Sequence, residues 1–349
     1  MKRRLQVPVE LEDNSKGKLV FEDDIGDSES SSGSLLWSAS LLFEPTDSEP
    51  KPLAEPVVVK IVSSVSGEDG HRSGVDCEVN FIRKFGSMES LEKNMVALWG
   101  WTNCKLKDLK QHMPYVLTDL PDDHGVYEAD EYALLVVEKA ETHAYAYIKS
   151  WCSMLVKKTI TVQQFDSAIK PIIFQVLYAL NIIKKDDPTF VHNDLHLSNV
   201  LLKKRSELQV FVHDGKEFIV QKAVPHALIW DFGYSSSETM KNWDTTQINQ
   251  MWGLKTTASA CPYDVHLFLN SVYLLLETSD ECLNTQTASW VRSVIPGILR
   301  GKMNDNIYQG RLSSVCQKTT VWQCIPSIDK MLSSWYFASL RKEDSNRDE

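Results

Sequence analysis

Apolar and polar residues follow two different periods along the chain, with strand-like patterns early and helix-like patterns late. Leu35 to Leu41 alternates in steps of two, and Val57 to Val62 is a β-branched run, so both predict strands. Leu19-Val20-Phe21 and Tyr132 to Val137 are further apolar runs of strand length. Val75 to Phe85 instead places its apolar side chains at helical spacing.

The longest helical pattern occupies Val162 to Lys184, and Pro171 inside it predicts a kink or a later helix start. Pro262 to Glu277 predicts a second apolar helix. Asp214-Gly215, between two apolar runs, is a two-residue hairpin signal. The apolar positions of the longest pattern are Phe165, Ile169, Ile172, Val176, Leu180 and Ile183.

This order predicts an α+β protein with a small β-sheet lobe followed by a larger helical lobe. We expect a flexible N-terminus over residues 1–18, the sheet lobe over 19–138, the helical lobe over 139–340 and a charged tail over 341–349. Ser63 to Gly74 and the proline-containing Glu44 to Pro56 are predicted connectors.

Composition excludes several classes of function. The net charge of -10 argues against general nucleic-acid binding and favours basic protein substrates through electrostatic steering. No apolar run approaches the roughly 18 residues of a membrane span, so we expect no membrane-spanning segment. The seven cysteines lack C-x-x-C spacing, which indicates neither a disulfide framework nor a zinc site. We therefore expect an intracellular, reducing location, cytoplasmic or nuclear.

Candidate chemistry is concentrated in the stretch from His192 to Asn199 and in the later Asp231-Phe232-Gly233. The order H-x-D-x-x-x-x-N followed by D-F-G supplies a carboxylate to receive a hydroxyl proton, and two oxygen ligands for magnesium. Asp194 is the candidate general base, and Asn199 and Asp231 are the candidate metal ligands.

With these motifs, residues 19–340 resemble the eukaryotic-type protein kinase superfamily. The resemblance implies ATP and Mg²⁺ as cofactors and transfer of the γ-phosphoryl group to Ser or Thr. Val57-Val58-Val59-Lys60 is similar to the strand whose lysine is catalytic and binds the α- and β-phosphates, and Glu78 is similar to that lysine's helix partner. Asp76 and Glu68 are alternative partners.

The resemblance also implies roles for two other segments. Leu134 to Ala140 is similar to the hinge that binds adenine through backbone groups, with Glu138 and Ala140 as the contacting positions. Asp264 is similar to the acid that hydrogen-bonds the catalytic loop. The phosphate loop would run from Gly26 to Gly33, where Ser amides and hydroxyls can partly substitute for the glycines of G-x-G-x-x-G, but Asp27 and Glu29 would repel phosphate if they pointed inward. A flexible acidic linker is the alternative for that loop.

Two departures from the common pattern lie in the catalytic loop. Asn193 stands where many kinases have Arg, so we expect activity that needs no activation-loop phosphate. His196 stands where protein kinases usually have Lys, and 37 residues separate Asp194 from Asp231. The histidine resembles haspin and also aminoglycoside and choline kinases, and the long spacing resembles haspin and the divergent serine/threonine kinases of large DNA viruses.

Three functions follow from these observations. A magnesium-dependent serine/threonine-protein kinase is favoured by the ordered set of Lys60, Asp194, Asn199 and Asp231. The H-N-D-L-H sequence would also suit an aminoglycoside- or choline-type kinase, although the intact Asp231-Phe232-Gly233 argues against it. The degraded glycine loop would suit a pseudokinase scaffold.

Overall fold

The computed structural model describes residues 6–12, 16–24, 35–43, 54–63, 74–105, 131–242, 245, 262–301 and 324–342. The chain divides into two compact units. The first contains residues 1–84 and 96–139, and the second contains residues 85–95 and 140–349. The division after Lys139 falls beside the predicted boundary between residues 138 and 139. Residues 85–95 belong to the second unit, which the sequence did not predict.

The first unit contains a six-stranded antiparallel sheet and one helix. The elements are β1 (Gln6–Glu10), β2 (Lys16–Asp24), β3 (Leu35–Phe43), β4 (Ala54–Ser63), α1 (Gly74–Gly86), β5 (Leu98–Lys105) and β6 (Glu131–Glu138). The strand order is β1-β2-β3-β4-β6-β5, so β4 lies inside the sheet between β3 and β6.

Two alternating apolar faces hold this unit together. One face of the sheet forms a core that includes Leu19, Leu41 and Val59. Val75 and Val79 of α1 pack with Ala133 and Leu135 in a second apolar cluster. Since successive strand residues point to opposite faces, this arrangement explains why residues 132–137 of β6 are all apolar.

Strand β1 corrects the expectation of a flexible segment over residues 1–18. It pairs antiparallel with β2, in a register that places Pro8 opposite Lys18. Proline marks edge strands because it lacks a donor for a second neighbour, and β1 is at the edge of the sheet. Its five residues and Pro8 give too weak a strand signal to be detected from the sequence.

The second unit is mainly helical. Its helices are α2 (Ala144–Val156), α3 (Val162–Asp186), α4 (Tyr263–Leu276), α5 (Asp280–Leu283), α6 (Gln286–Val294) and α7 (Ile328–Leu332). Short 3₁₀ segments occur at Glu92–Asn94, Leu197–Asn199, Phe232–Tyr234, Gly297–Leu299 and Trp335–Leu340.

Helix α3 is the centre of the second unit. It begins after Thr161, whose hydroxyl accepts from Gln164 N while the Gln164 side chain accepts from Thr161 N, a capping box. The helix continues through Pro171 to Asp186, so the predicted later start is not seen. Its length and hydropathy would allow a membrane crossing, but 83% of the relevant window is buried inside the structure.

Short strands complete the second unit. β7 (Thr142–His143), β8 (Val200–Lys203) and β11 (His226–Ile229) form an antiparallel sheet in the order β11-β8-β7. β9 (Gln209–His213) and β10 (Lys216–Val220) form the predicted hairpin. Asp214 and Gly215 have φ of 51° and 70°, as a tight primed turn requires. The α+β class with an early sheet and a later helical part is confirmed.

Candidate active site

Lys60 and Glu78 form a buried ion pair in the first unit. The Lys60 Nζ lies 2.8 Å from Oε1 and 2.9 Å from Oε2 of Glu78. Only 3% of Lys60 and 1% of Glu78 is exposed. Because desolvation penalises both charges, such a pair is held in place by its mutual hydrogen bonds.

The sheet and α1 fix this pair from opposite sides. Lys60 lies in β4, opposite Leu36 on β3 and Leu135 on β6. Glu78 lies one turn before Ile82 on the buried side of α1. Of the three partners considered from the sequence, Glu78 is the one that bonds Lys60, Asp76 is only partly buried, and Glu68 lies outside the described residues.

The segment predicted to bind adenine is the end of β6. The Glu138 N–H donates to the Ala97 carbonyl at 2.9 Å, and the Glu138 carboxylate accepts from Ala97 N at 2.8 Å. The Glu138 N–H is therefore already bonded within the first unit. Ala140, the other predicted contact, is half-buried and begins the second unit.

In the second unit, Asp264 holds the backbone of the catalytic loop. One carboxylate oxygen accepts from His192 N at 3.0 Å, and the other accepts from Asn193 N at 3.0 Å. Asp264 lies in the first turn of α4 and is buried. This is the contact that the kinase resemblance implied for Asp264.

His192 supports the same loop through its ring. Its Nδ1 accepts from Asp194 N at 3.4 Å, so its proton resides on Nε2, which donates to the Trp230 carbonyl at 3.0 Å. The ring also packs 4.9 Å from that of Phe232. His192 thus connects the residue before Asp231 to the loop that carries Asp194.

Asp194 and Asn199 face each other across the catalytic loop. The Asn199 Nδ2 donates to the Asp194 carbonyl at 2.8 Å and to Asp194 Oδ2 at 3.1 Å. Only 9% of Asp194 and 6% of Asn199 is exposed. These bonds orient the Asp194 carboxylate and fix the amide group of Asn199 with its oxygen directed away from that donor interaction.

His196 lies on the other side of Asp194. Its Nδ1 accepts from Ser198 N at 3.2 Å, which places its proton on Nε2. That atom is 3.7 Å from Asp194 Oδ2, longer than a hydrogen bond but near enough for attraction when the ring is charged. His143 also lies near His196, and burial followed by the neighbouring His196 lowers the pKa of His143.

Asp231 has the backbone conformation of a tight bend. Its φ and ψ are 63° and 64°, the left-handed region that non-glycine residues seldom adopt. The Trp230 N–H donates to the Asn199 carbonyl at 3.3 Å, which brings the backbone before Asp231 beside Asn199. Strained conformations of this type are retained mainly at functional sites.

Phe232 is fully buried, and its side chain packs within the second unit. Its ring lies 6.2 Å from Phe85 and 6.3 Å from Phe190. The sequence predicted a packing role for Phe232 under the helix that carries Glu78, and Phe85 belongs to that helix. These ring contacts fix the position of Phe232, the residue directly after Asp231.

Asn193 binds the segment that follows Asp231-Phe232-Gly233. Its Nδ2 donates to the Tyr234 carbonyl at 2.9 Å, and lies 3.3 Å from Ser236 Oγ and 3.4 Å from the Val191 carbonyl. Val191 and Ser236 also exchange two backbone hydrogen bonds. The φ of Asn193 is 68°, which asparagine tolerates better than most residues.

The donor set suits magnesium. Asn199 and Asp231 offer an amide oxygen and a carboxylate, the hard ligands that Mg²⁺ prefers alongside water and phosphate. The described residues contain no cluster of three or more His, Cys, Asp or Glu side chains that could hold a metal by themselves. The chemistry of Asn199 and Asp231 therefore suits magnesium as two of its ligands.

The structure thus forms two parts of the predicted site. Lys60 and Glu78 form an ion pair in the first unit. In the second unit, Asn199 donates a hydrogen bond to Asp194, and its carbonyl accepts from the N–H of Trp230, the residue before Asp231. Gly26 and Gly33, predicted to bind phosphate, lie outside the described residues. His143 was not singled out from the sequence, because its proximity to His196 arises from the pairing of β7 with β8.

Comparisons with known proteins give distant similarities. No family model matches the sequence. A protein of Acanthamoeba polyphaga mimivirus, named as an unconfirmed serine/threonine-protein kinase, is 23% identical over 186 residues. The match covers 48% of this chain and 38% of the viral protein, so the chain spans about two fifths of the length of that relative.

A solved structure gives a weaker match. The kinase domain of a rhoptry antigen of Toxoplasma gondii aligns with 94% of this chain and 86% of its own, at 10% identity and a TM-score of 0.45. A score below 0.5 does not define a common fold. The sequence match is therefore the stronger of the two similarities, and it too is distant.

Proposed function

We propose that this chain is an ATP- and magnesium-dependent protein kinase that transfers the γ-phosphoryl group to Ser or Thr of protein substrates. The observation that carries the proposal is the buried Asp194–Asn199 pair, set on a loop that Asp264 holds through two backbone N–H groups. Packing alone requires no such arrangement of polar groups, and it costs desolvation.

In the proposed reaction, Asp194 orients the substrate hydroxyl and receives its proton. The hydroxyl oxygen bonds to the γ-phosphorus as the bond from that phosphorus to the β-phosphate oxygen breaks, and ADP leaves. Asn199 and Asp231 would hold magnesium, which when bound neutralises charge on the phosphates. Lys60, oriented by Glu78, would bind the α- and β-phosphates, so most of the catalysis is positioning and electrostatic stabilisation.

The proposal extends to the substrate, the branch and the location. The net charge of -10 favours basic protein segments as substrates. His196 beside Asp194 supports a place in the divergent branch that includes haspin and the kinases of large DNA viruses. The free thiols of the five described cysteines support a reducing, cytoplasmic or nuclear location.

Nucleotide binding is the first test, and it separates a kinase from a pseudokinase scaffold. The melting temperature of the purified chain is measured with millimolar ATP, with and without Mg²⁺. A ligand at 100 times its Kd stabilises by about 2.7 kcal/mol, so we expect a rise in Tm that needs both components. Asp231→Asn should remove the part of that rise that depends on Mg²⁺. An unchanged Tm in every condition would favour a scaffold.

Substrate class is the second test. The protein is incubated with labelled ATP and Mg²⁺, separately with basic protein substrates and with a panel of aminoglycosides and choline. Labelled Ser or Thr in protein supports the proposal. Turnover of a small molecule without labelled protein would support the aminoglycoside- or choline-type alternative that the H-N-D-L-H sequence suggests.

A further inference from the structure

We propose that Lys139 determines the nucleotide specificity of this chain, and that its ammonium group makes the site accept GTP as well as ATP. The inference rests on the proposed kinase function, because it concerns the nucleotide of that reaction. The observation that carries it is a hydrogen bond from Lys139 to Ser38, on the face of the first unit's sheet that holds Lys60.

Strand register places Ser38 and Lys60 on one face of the sheet. Side chains directly opposite each other in an antiparallel pair share a face, and so do residues two apart along a strand. Lys60 therefore shares its face with Val58, and Val58 shares it with Ser38, its partner on β3, and with Val137, its partner on β6. These three residues form one row across the sheet, the Ser38 row, beside the row that contains Lys60.

Helix α1 packs on the far side of Lys60 from the Ser38 row. The helix contacts Ala133, which pairs with Val62, two residues beyond Lys60 on β4. Val58 lies two residues before Lys60 and is half-buried. Part of its apolar side chain is therefore open to a ligand on the side of Lys60 that the α1 cluster does not occupy.

The side chain of Lys139 crosses the sheet to reach this row. Its Nζ donates to Ser38 Oγ at 2.8 Å. Lys139 directly follows β6 and Ser38 lies in β3, with β4 between these strands, so the side chain passes over β4 on the face that carries Lys60. Ser38 is 6% exposed and Lys139 is exposed. The ammonium is therefore held at a buried hydroxyl while it remains accessible to a ligand.

A nucleotide held at Lys60 would bring its base to the Ser38 row. In the proposed reaction Lys60 binds the α- and β-phosphates. A strand rises about 3.3 Å per residue, so Val58 lies about 7 Å from Lys60 along β4, which is comparable with the span of the ribose between phosphate and base. Glu138, which the kinase resemblance places at the base, is the residue before Lys139. The ammonium of Lys139 is thus beside the expected position of the base.

The chemistry of an ammonium group favours guanine over adenine. A lysine has three donors and no acceptor, and the bond to Ser38 uses one of the three. Guanine presents two neighbouring acceptors, O6 and N7, whereas adenine presents N7 beside an amino group that itself donates. Lys139 can therefore bond to two atoms of guanine but to only one atom of adenine on that edge. This difference gives GTP an interaction that a neutral side chain at position 139 would not supply.

Calorimetric titration of the whole chain with ATP and with GTP, each with Mg²⁺, tests the inference. For wild type, we expect the two Kd values to agree within about threefold. In Lys139→Met, which keeps the length of the side chain but not its donors, the Kd of GTP should rise by about tenfold and that of ATP by about threefold or less. Ser38→Ala, which removes the anchoring hydroxyl but keeps the ammonium, should give a smaller rise for GTP.

Lys105→Met is the matched control for the loss of one positive charge. Lys105 is exposed and lies opposite Glu131, at the other end of β6 from Lys139. We expect this variant to change the Kd values of ATP and GTP by the same small factor. A GTP-specific loss in Lys105→Met equal to that in Lys139→Met would overturn the inference.

Failure of the inference is distinguishable from failure of the proposed kinase function. If wild type binds ATP but not GTP, or if the ratio of the two Kd values is the same in wild type and Lys139→Met, the role of Lys139 is overturned and the kinase function stands. If wild type binds neither nucleotide, both are overturned.

Discussion

Asn199 donates its side-chain amide to two oxygens of Asp194, the main-chain carbonyl at 2.8 Å and carboxylate Oδ2 at 3.1 Å. One side chain therefore fixes both the backbone and the carboxylate of the proposed base. In the proposed reaction the same residue would also hold magnesium through its amide oxygen. The two roles need different atoms of one amide group, so they are compatible.

Replacing Asn199 should therefore impair both activity and stability. In Asn199→Ala, the Asp194 carbonyl and carboxylate each lose one of their hydrogen bonds, which costs about 1–3 kcal/mol of unfolding free energy. Loss of an oriented base and of a metal ligand should reduce kcat by about 100-fold or more. Urea denaturation and steady-state kinetics measure the two effects.

The exposed Asn284 offers a matched control for that substitution. Asn284→Ala should leave kcat and the unfolding free energy near the wild-type values. Equal effects of Asn199→Ala and Asn284→Ala would contradict the role assigned to the Asp194–Asn199 contact.

Substitutions at Asn193 separate the contributions that its backbone and its side chain make to stability. Asn193→Gly keeps a backbone that adopts a φ of 68° freely but removes the amide bonds to Tyr234 and Ser236. Asn193→Ala removes the same bonds and adds a left-handed strain of about 1–2 kcal/mol. We expect both variants to lose stability, and the alanine variant to lose more by about that amount.

Chemical denaturation of the two Asn193 variants measures the difference. Equal stabilities of the glycine and alanine variants would show that the left-handed backbone at residue 193 causes no strain in the alanine variant. A wild-type-like glycine variant would show that the amide bonds to the segment after Gly233 contribute nothing. Phosphatase treatment of the wild type should not reduce activity, because these bonds order that segment without a phosphate.

The Lys60–Glu78 ion pair predicts an unusual double-mutant result. Lys60→Met leaves the Glu78 carboxylate buried without its cation, which costs about 3–5 kcal/mol. Adding Glu78→Leu removes that charge and should recover most of the loss in Tm. The double variant should nevertheless bind ATP no better than Lys60→Met, since no ammonium remains for the phosphates. A double variant that melts below Lys60→Met would argue against a stabilising pair.

His226 predicts a loss of stability on acidification. Burial lowers its pKa from 6.5 to about 4, with positive charges on Arg205, Lys93 and Lys203 acting in the same direction. Between pH 6.5 and pH 4, His226 is therefore protonated in the unfolded chain but neutral in the folded chain. Stability is complete above pH 6.5 and falls as the pH drops towards 4, by about 2 kcal/mol between pH 7 and pH 5.

His226→Asn is the control for this titration. Its amide can replace the ring nitrogen Nδ1 that bonds the Lys93 carbonyl at 3.1 Å, but it carries no titrating group. Urea denaturation at pH 7 and pH 5 should show a smaller loss for the variant by about that amount. The same loss in both proteins would assign the acid sensitivity to other groups, such as the buried His266, whose pKa burial also lowers.

Local sequence patterns predicted the elements that carry the site. The β-branched run that contains Lys60 and the helical spacing around Glu78 predicted the strand and the helix that bring these two side chains together. The hairpin at Asp214-Gly215 and the helix starting at Val162 were predictable for the same reason, because turn and capping chemistry act between neighbours.

Features that depend on distant pairing were not predictable. β1 is a strand because β2 lies beside it, and its own residues include a proline. Asn193 was interpreted as a missing arginine, whereas its amide bonds to Tyr234 depend on how the chain returns after Gly233.

Phosphoryl transfer from labelled ATP, compared between wild type and Asp194→Asn, tests the central claim most directly. The variant preserves the size of the side chain and a partner for Asn199, but it cannot accept a proton. The account predicts that wild type labels Ser or Thr with Mg²⁺ present, that the variant is slower by about 100-fold or more, and that both gain the same Tm from ATP with Mg²⁺. Equal labelling by the two proteins, or labelling by neither, would contradict it.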